Sequence, residues 1–161
     1  MIPDPTSSKT SNPPFKPIQS SLMVKIAIGL AYNLADKKVY YSDIQKGTIN
    51  SVNFDGSNHE ELFTNVGSIE GLAFDAIQAV LYWTSSSKHS ISKARLKVDA
   101  NTVPKVETVL ILRPSDKPRG IDIDPCEGRI YFTNWNAKFP SIQRVSYSGY
   151  GLDPIVTTDI R

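Results

Sequence analysis

Two histidines, a pair of aspartates and one cysteine are where chemistry would have to begin in this sequence. Asp122 and Asp124 form a D-x-D pair. On alternate positions of a strand they would face one way, and such a pair could hold a metal ion; aspartates of this kind also cap turns. His59 stands beside Glu60 and Glu61, and His89 lies in a loop-like Ser-Lys-His-Ser stretch. Thirty positions apart, with no third ligand close by, the histidines do not make a metal site. They read as solvated surface groups, with pH sensing as the alternative, because imidazole charges between about pH 5 and 8. Cys126 alone excludes an internal disulfide framework and a cysteine metal cluster. It reads as a buried or half-buried free thiol, or as half of a disulfide to a cysteine outside this sequence.

The remaining signals for catalysis are missing. No nucleophile elbow, zinc-binding helix, phosphate-cradling glycine loop or EF-hand pattern is found, so no enzyme activity, cofactor or metal is expected. Residues 88–105 carry Lys88, Lys93, Arg95, Lys97 and Lys105 against one acid, Asp99. This is either a solvated hairpin or a patch for an acidic ligand. A net charge of +2 gives no strong pull towards nucleic acid. No apolar run of about 18 residues exists to span a bilayer as a helix. Residues 1–21 hold five prolines among Ser, Thr and Lys. They are expected to be a disordered tail, without the basic and apolar regions of a signal peptide.

The elements that would position these residues come from a repeat. Gly29-Leu30-Ala31-Tyr32, Gly71-Leu72-Ala73-Phe74 and Gly120-Ile121-Asp122-Ile123 each precede an aromatic cluster. The clusters are Tyr40-Tyr41-Ser42-Asp43, Tyr82-Trp83-Thr84-Ser85 and Tyr131-Phe132-Thr133-Asn134, each starting 11 residues after its glycine. Successive glycines are 42 and 49 residues apart, the length of a propeller blade and longer than an ankyrin or tetratricopeptide repeat. Each unit reads as four short strands rich in Val, Ile, Tyr, Phe and Thr, bounded by turn residues. The expected strands are 29–34, 39–43, 48–54 and 60–64, then 71–75, 80–85, 90–96 and 107–112, then 120–124, 129–134, 141–147 and 154–157. Residues 22–27 read as the outer strand of a preceding blade.

The order Gly-apolar-x-apolar-Asp, Tyr-Trp-Thr-Asp, Ile-x-x-x-x-apolar-Asp-Gly resembles the class B (YWTD) repeat of the low-density lipoprotein receptor family. The pattern is most similar to the large lipoprotein receptor-related type of endocytic receptor, with the nidogen type next. The resemblance implies an all-β chain, a YWTD β-propeller present as an arc of about three four-stranded blades out of six, at 28–70, 71–118 and 119–160. It implies an extracellular ligand-binding and scaffolding module of a single-pass cell-surface receptor. The implied partners are protein ligands, the remaining blades and neighbouring EGF-like modules; a matrix linker is the alternative. The motif aspartate bonds between blades in this family. Here it survives only as Asp43, with Ser85 and Asn134 in its place elsewhere.

Tyr40, Tyr82 and Tyr131 occupy equivalent positions and are expected to pack in the core, with Trp83. Tyr41, Thr84, Phe132 and Thr133 complete the motif. Trp135 lies just past the third copy, where the period no longer demands burial. By the resemblance, the residues just before each glycine and just after each aromatic motif form the peptide-binding face: Glu70 and Arg119, then Ile44, Ser86 and Trp135. The competing reading pairs Glu70 with Arg119 between blades and packs Trp135 on a loop.

Overall fold

A computed structural model describes residues 24–96 and 104–157. The described residues form three four-stranded antiparallel sheets, each a simple meander. The first holds β1 (Ala27–Asn33), β2 (Lys38–Asp43), β3 (Thr48–Asn53) and β4 (Glu60–Phe63). The second holds β5 (Ile69–Asp75), β6 (Val80–Ser85), β7 (Ser90–Arg95) and β8 (Val106–Ile111). The third holds β9 (Pro118–Asp124), β10 (Arg129–Asn134), β11 (Ser141–Ser146) and β12 (Asp153–Val156). All twelve expected strands are present, with ends within two residues of those read from the sequence. The inner strands β5 and β9 begin two residues early because a bulge near each repeat glycine keeps the lead-in residues paired.

The three inner strands β1, β5 and β9 lie side by side, so the sheets stack face to face around one axis. The period-2 pattern then sends each strand's alternate residues to different neighbours. The second sheet is covered on both sides, and every residue of β6 is buried. Leu81 and Trp83 belong to a core shared with the first sheet, with Tyr40, Ile49, Phe63 and Leu72. Val80 and Tyr82 belong to a second core with Ile130, Phe132 and Val145. Burial, and next the charge of Asp75, push the phenol of Tyr82 up to about 12 and that of Tyr147 higher still.

The turns repeat as faithfully as the strands. Asn33, Asp75 and Asp124 end the inner strands, and their side-chain oxygens accept hydrogen bonds from the backbone N–H two and three residues on. Asp124 is thus a turn cap, while Asp122 lies exposed on β9 and accepts from the N–H of Ile123. The last turn residue takes the left-handed backbone in each copy, as Lys37, Ala79 and Gly128, with φ of 51°, 54° and 62°.

Several expectations are corrected. Residues 24–26 form no outer strand, and Ala27 already belongs to β1; the segment instead serves as a lead-in whose N–H groups bond Asp43. Cys126 is exposed and not buried, because it sits at the solvent side of the turn capped by Asp124. Neither histidine is simply solvated. His59 is half-buried against Tyr41, ring to ring and bonded to its hydroxyl. His89 holds a left-handed backbone, and its Nδ1 lies 2.8 Å from the carbonyl oxygen of Asp116. Tyr131 is half-buried, unlike Tyr40 and Tyr82, because no described sheet covers its face of the third sheet. In the basic stretch, Lys93 is held by Glu107 and by the carbonyl of Tyr147, which dissolves a free patch at that position. The tail at 1–21 and Lys97 and Asp99 lie outside the described residues.

Candidate functional site

The same backbone bond recurs at one end of every sheet. The N–H of Ile44, Ser86 and Trp135 donates to the carbonyl of Ile26, Ser68 and Lys117 respectively, tying the loop after each aromatic motif to the segment entering that sheet. Side chains reinforce this tie in three different ways. Asp43, 1% exposed, accepts from the N–H groups of Lys25, Ile26, Gln45 and Lys46. Ser85 is too short to reach the lead-in, and Ser87 accepts from the N–H of Ser68 instead. Asn134 accepts from the N–H of Lys117 and donates to the carboxylate of Asp116, which also receives Asn136.

The motif aspartate therefore braces its own sheet. The bond between sheets comes from the preceding hydroxyl: Ser42 donates to the carbonyl of Ile69, and Thr84 to the carbonyl of Arg119. The hydroxyl wins because its residue points to the next sheet, whereas the following residue alternates away. Burial opposes the charge on Asp43 and on Asp116. The N–H groups of Lys25, Lys46, Ile26 and Gln45 on Asp43, and Asn136, Asn134 and the N–H of Arg113 on Asp116, outweigh it and hold both carboxyls below their ordinary range. A depressed folded-state pKa contributes stability above the unfolded value and loses it as pH falls through the folded one. Melting temperatures taken at decreasing pH should accordingly drop below about pH 4, and Asp43→Asn should flatten that drop. An acid profile unchanged by this substitution would remove Asp43 from the account.

Three of the five expected binding residues come together at this end. The Arg119 guanidinium lies 2.5 Å from the Glu70 carboxylate, joining the second and third sheets. The same guanidinium sits 3.9 Å from the centroid of the Trp135 ring, as a cation–π pair. Trp135 is 60% exposed, so the pair presents an aromatic face to solvent. The Glu70–Arg119 pair of the competing reading is therefore present, and the same guanidinium also carries the Trp135 ring. Ile44 is half-buried and Ser86 buried, its hydroxyl near the carbonyl of Ser68; no described contact joins either to the group.

Beside Arg119 and Trp135 opens a groove of about 620 Å³, also lined by Lys117, Asn136, Pro140 and Ile142. Its size falls within the range usual for a ligand site. Phe139, 73% exposed, stands on the same 135–140 loop. Sequence reasoning missed Lys117, Asn136 and Phe139. The signal available was the third loop itself, which places an aromatic at each end of a stretch longer than the corresponding turns of the other two copies.

The chain as a whole resembles known proteins. No family model matches the chain. It superposes on the propeller of nidogen in the nidogen/laminin complex with a TM-score of 0.71 and 28% identity, over 84% of this chain and 50% of that one. The fold is that of a β-propeller. A gluconolactonase from Xanthomonas campestris matches with a TM-score of 0.64 and 18% identity, over 83% of this chain and 48% of that one, a likeness of fold alone. Among curated proteins, Protein cueball of Drosophila grimshawi is 32% identical over 134 residues, 81% of this chain and 22% of that protein. Protein cueball of Drosophila yakuba is 28% identical over 139 residues. The chain spans about a fifth of the length of these curated relatives. These relatives carry the name cueball and not that of a lipoprotein receptor-related protein.

Proposed function

We propose that this propeller is a protein-binding module of an extracellular protein, not an enzyme, and that it binds a peptide segment on Trp135, Arg119 and the adjoining groove. The observation that carries the reading is the exposed Trp135 ring stacked on a guanidinium that Glu70 holds in place. Trp and Arg dominate binding energetics because they bring large apolar area and directional donors at small entropic cost. A side chain already fixed by an ion pair loses little freedom when a ligand arrives. Lys117 and Asn136 on the groove wall add donors suited to carbonyl or carboxylate groups of a peptide.

Two forms of the reading differ in the chain around the module. One is the ectodomain of a single-pass endocytic receptor with cysteine-rich repeats beside it. The other is a matrix linker, which the 28% identity to nidogen favours. Flanking sequence separates them.

The binding reading is tested with a displayed peptide library selected on the unmodified chain. Trp135→Ala and Arg119→Ala should each weaken the selected peptides by about 1–4 kcal/mol, while Trp135→Ala leaves the melting temperature nearly unchanged. Loss of stability and binding in equal measure in both variants would assign these residues to the scaffold. Calcium-dependent esterase turnover by the chain would favour the lactonase-like chemistry instead.

A further inference from the structure

The charge of the three sheets is polarised along their strands. At the end that holds Trp135, the first sheet carries Lys25 and Lys46 and the second carries Lys88, all exposed. The third adds Arg113, Lys117 and Lys138 beside Arg119. The carboxylates described at this end are already engaged. Asp43 and Asp116 are buried and accept the N–H groups of their own loops or of Asn134 and Asn136, while Glu70, its side chain 10% exposed, holds Arg119. The described turns at the opposite end carry Asp36, Asp55 and Glu127 against Lys37 and Lys105. A net charge of +2 for the whole sequence hides this asymmetry. The cations lie on one continuous rim, because the loops that carry them are tied in turn. The N–H of Val66 donates to the carbonyl of Gly47, the Lys88 ammonium to that of Asn65, the N–H of Leu112 to that of His89, and the Asn136 amide to the Asp116 carboxylate.

We propose that the segment bound at Trp135 is an acidic, extended peptide, with an apolar side chain on the loop of Trp135 and Phe139 and carboxylates running over Lys88 towards Lys46. This inference rests on the peptide reading above and adds the chemistry and the course of the peptide. Sheets packed face to face lie about 10 Å apart, so the rim crosses about 20 Å, the reach of roughly six extended residues. The carboxylates at this end are buried or paired, so the exposed charge that an incoming chain meets is positive, and complementary charge speeds encounter and fixes register. The two exposed aromatic rings decide between acidic partners. A sulfated polysaccharide would satisfy the cations but has no apolar side chain for Trp135 and Phe139, whereas a peptide supplies both.

The experiment sequences the peptides that the unmodified chain enriches from the displayed library and measures the affinity of the most enriched one at low and high salt. The enriched peptides should be rich in Asp and Glu, with an aromatic or aliphatic residue at one end, and their binding should weaken as salt rises. Lys46→Glu and Lys88→Glu, neither of which lines the groove beside Trp135, should each weaken binding about threefold to tenfold at an unchanged melting temperature. If Lys88→Glu melts early through loss of its bond to Asn65, Lys46→Glu alone decides. Neutral or basic peptides that Trp135→Ala still abolishes would overturn this inference and leave the peptide reading standing. Acidic peptides insensitive to both lysine variants would also overturn it, by confining the ligand to the groove. No enriched peptide at all would sink the peptide reading and this inference together. In that case, retention on immobilised heparin that the lysine variants abolish would assign the rim to a sulfated polysaccharide.

Discussion

Trp83→Ala is expected to remove about 3–5 kcal/mol of folding stability, a large part of the total of about 5–15 kcal/mol typical of a domain. Trp83 is 1% exposed, and its ring lies 5.4 Å from that of Phe63 in the first sheet. Leu72, its cross-strand partner, and Leu81 share the same core. The strand that carries it is buried on both faces, so neither neighbouring sheet can collapse into the space without leaving the other. Truncation therefore loses both the transfer energy of the indole and the contacts around the void. Trp135→Ala is the matched control. That ring is 60% exposed and stacks on one guanidinium, a contact worth about 1 kcal/mol or less. Denaturant titrations of the two variants should differ by several kcal/mol, and equal losses would show that the first core does not hold the sheets together.

What was legible in the sequence followed from local signals. The strands were readable because alternation, β-branched composition and turn residues agree in each copy, and the sheets pair within single repeats, so no distant information is needed. The exposure of Trp135 was readable from its place beyond the motif. Contacts between sheets were harder to read. That Ser42 and Thr84, rather than the motif aspartate, bond across sheets depends on which way a bulged inner strand turns its carbonyls. The half-exposure of Tyr131 depends on whether a further sheet covers it, which its own repeat does not reveal. The Asp116–Asn136 bond spans 20 residues between a loop entering the third sheet and one leaving its second strand, and neither residue belongs to the repeat. Of the residues the resemblance grouped, Glu70, Arg119 and Trp135 touch one another, while the recurring loop tie leaves the side chains of Ile44 and Ser86 half-buried and buried. A repeat predicts where a residue sits in its unit, and its exposure then depends on the local length and polarity of the loop.

Gly71→Ala is expected to cost about 3 kcal/mol or more, the upper end for overpacking, although it adds a single methyl group. Gly71 is buried in the inner strand β5. An ideal Cβ there would lie 2.3 Å from the carbonyl oxygen of Arg119 and 2.9 Å from the backbone nitrogen of Ile121. Both are main-chain atoms of β9, so no rotamer change can clear them. The backbone at Gly71 does not need the left-handed region, and an alanine would suffer no conformational strain of its own. The cost thus comes from collision alone. Relief requires the second and third sheets to part, which stretches the Thr84 hydroxyl from the Arg119 carbonyl, the Glu70–Arg119 ion pair and the stacking of Tyr82 on Tyr147 at 4.8 Å. Gly29→Ala makes the comparison. Its Cβ would meet Ser42 Oγ at 3.0 Å and Leu72 Cγ at 3.1 Å, both side-chain atoms that can yield by a few tenths of an ångström. Its cost should stay near 1 kcal/mol, the lower end for overpacking. Because Arg119 rides on the displaced strand, Gly71→Ala should also weaken peptide binding at Trp135, whereas Gly29→Ala should not. Equal destabilisation by the two variants, or unaltered binding in Gly71→Ala, would show that the close approach of β5 to β9 does not position the proposed binding face.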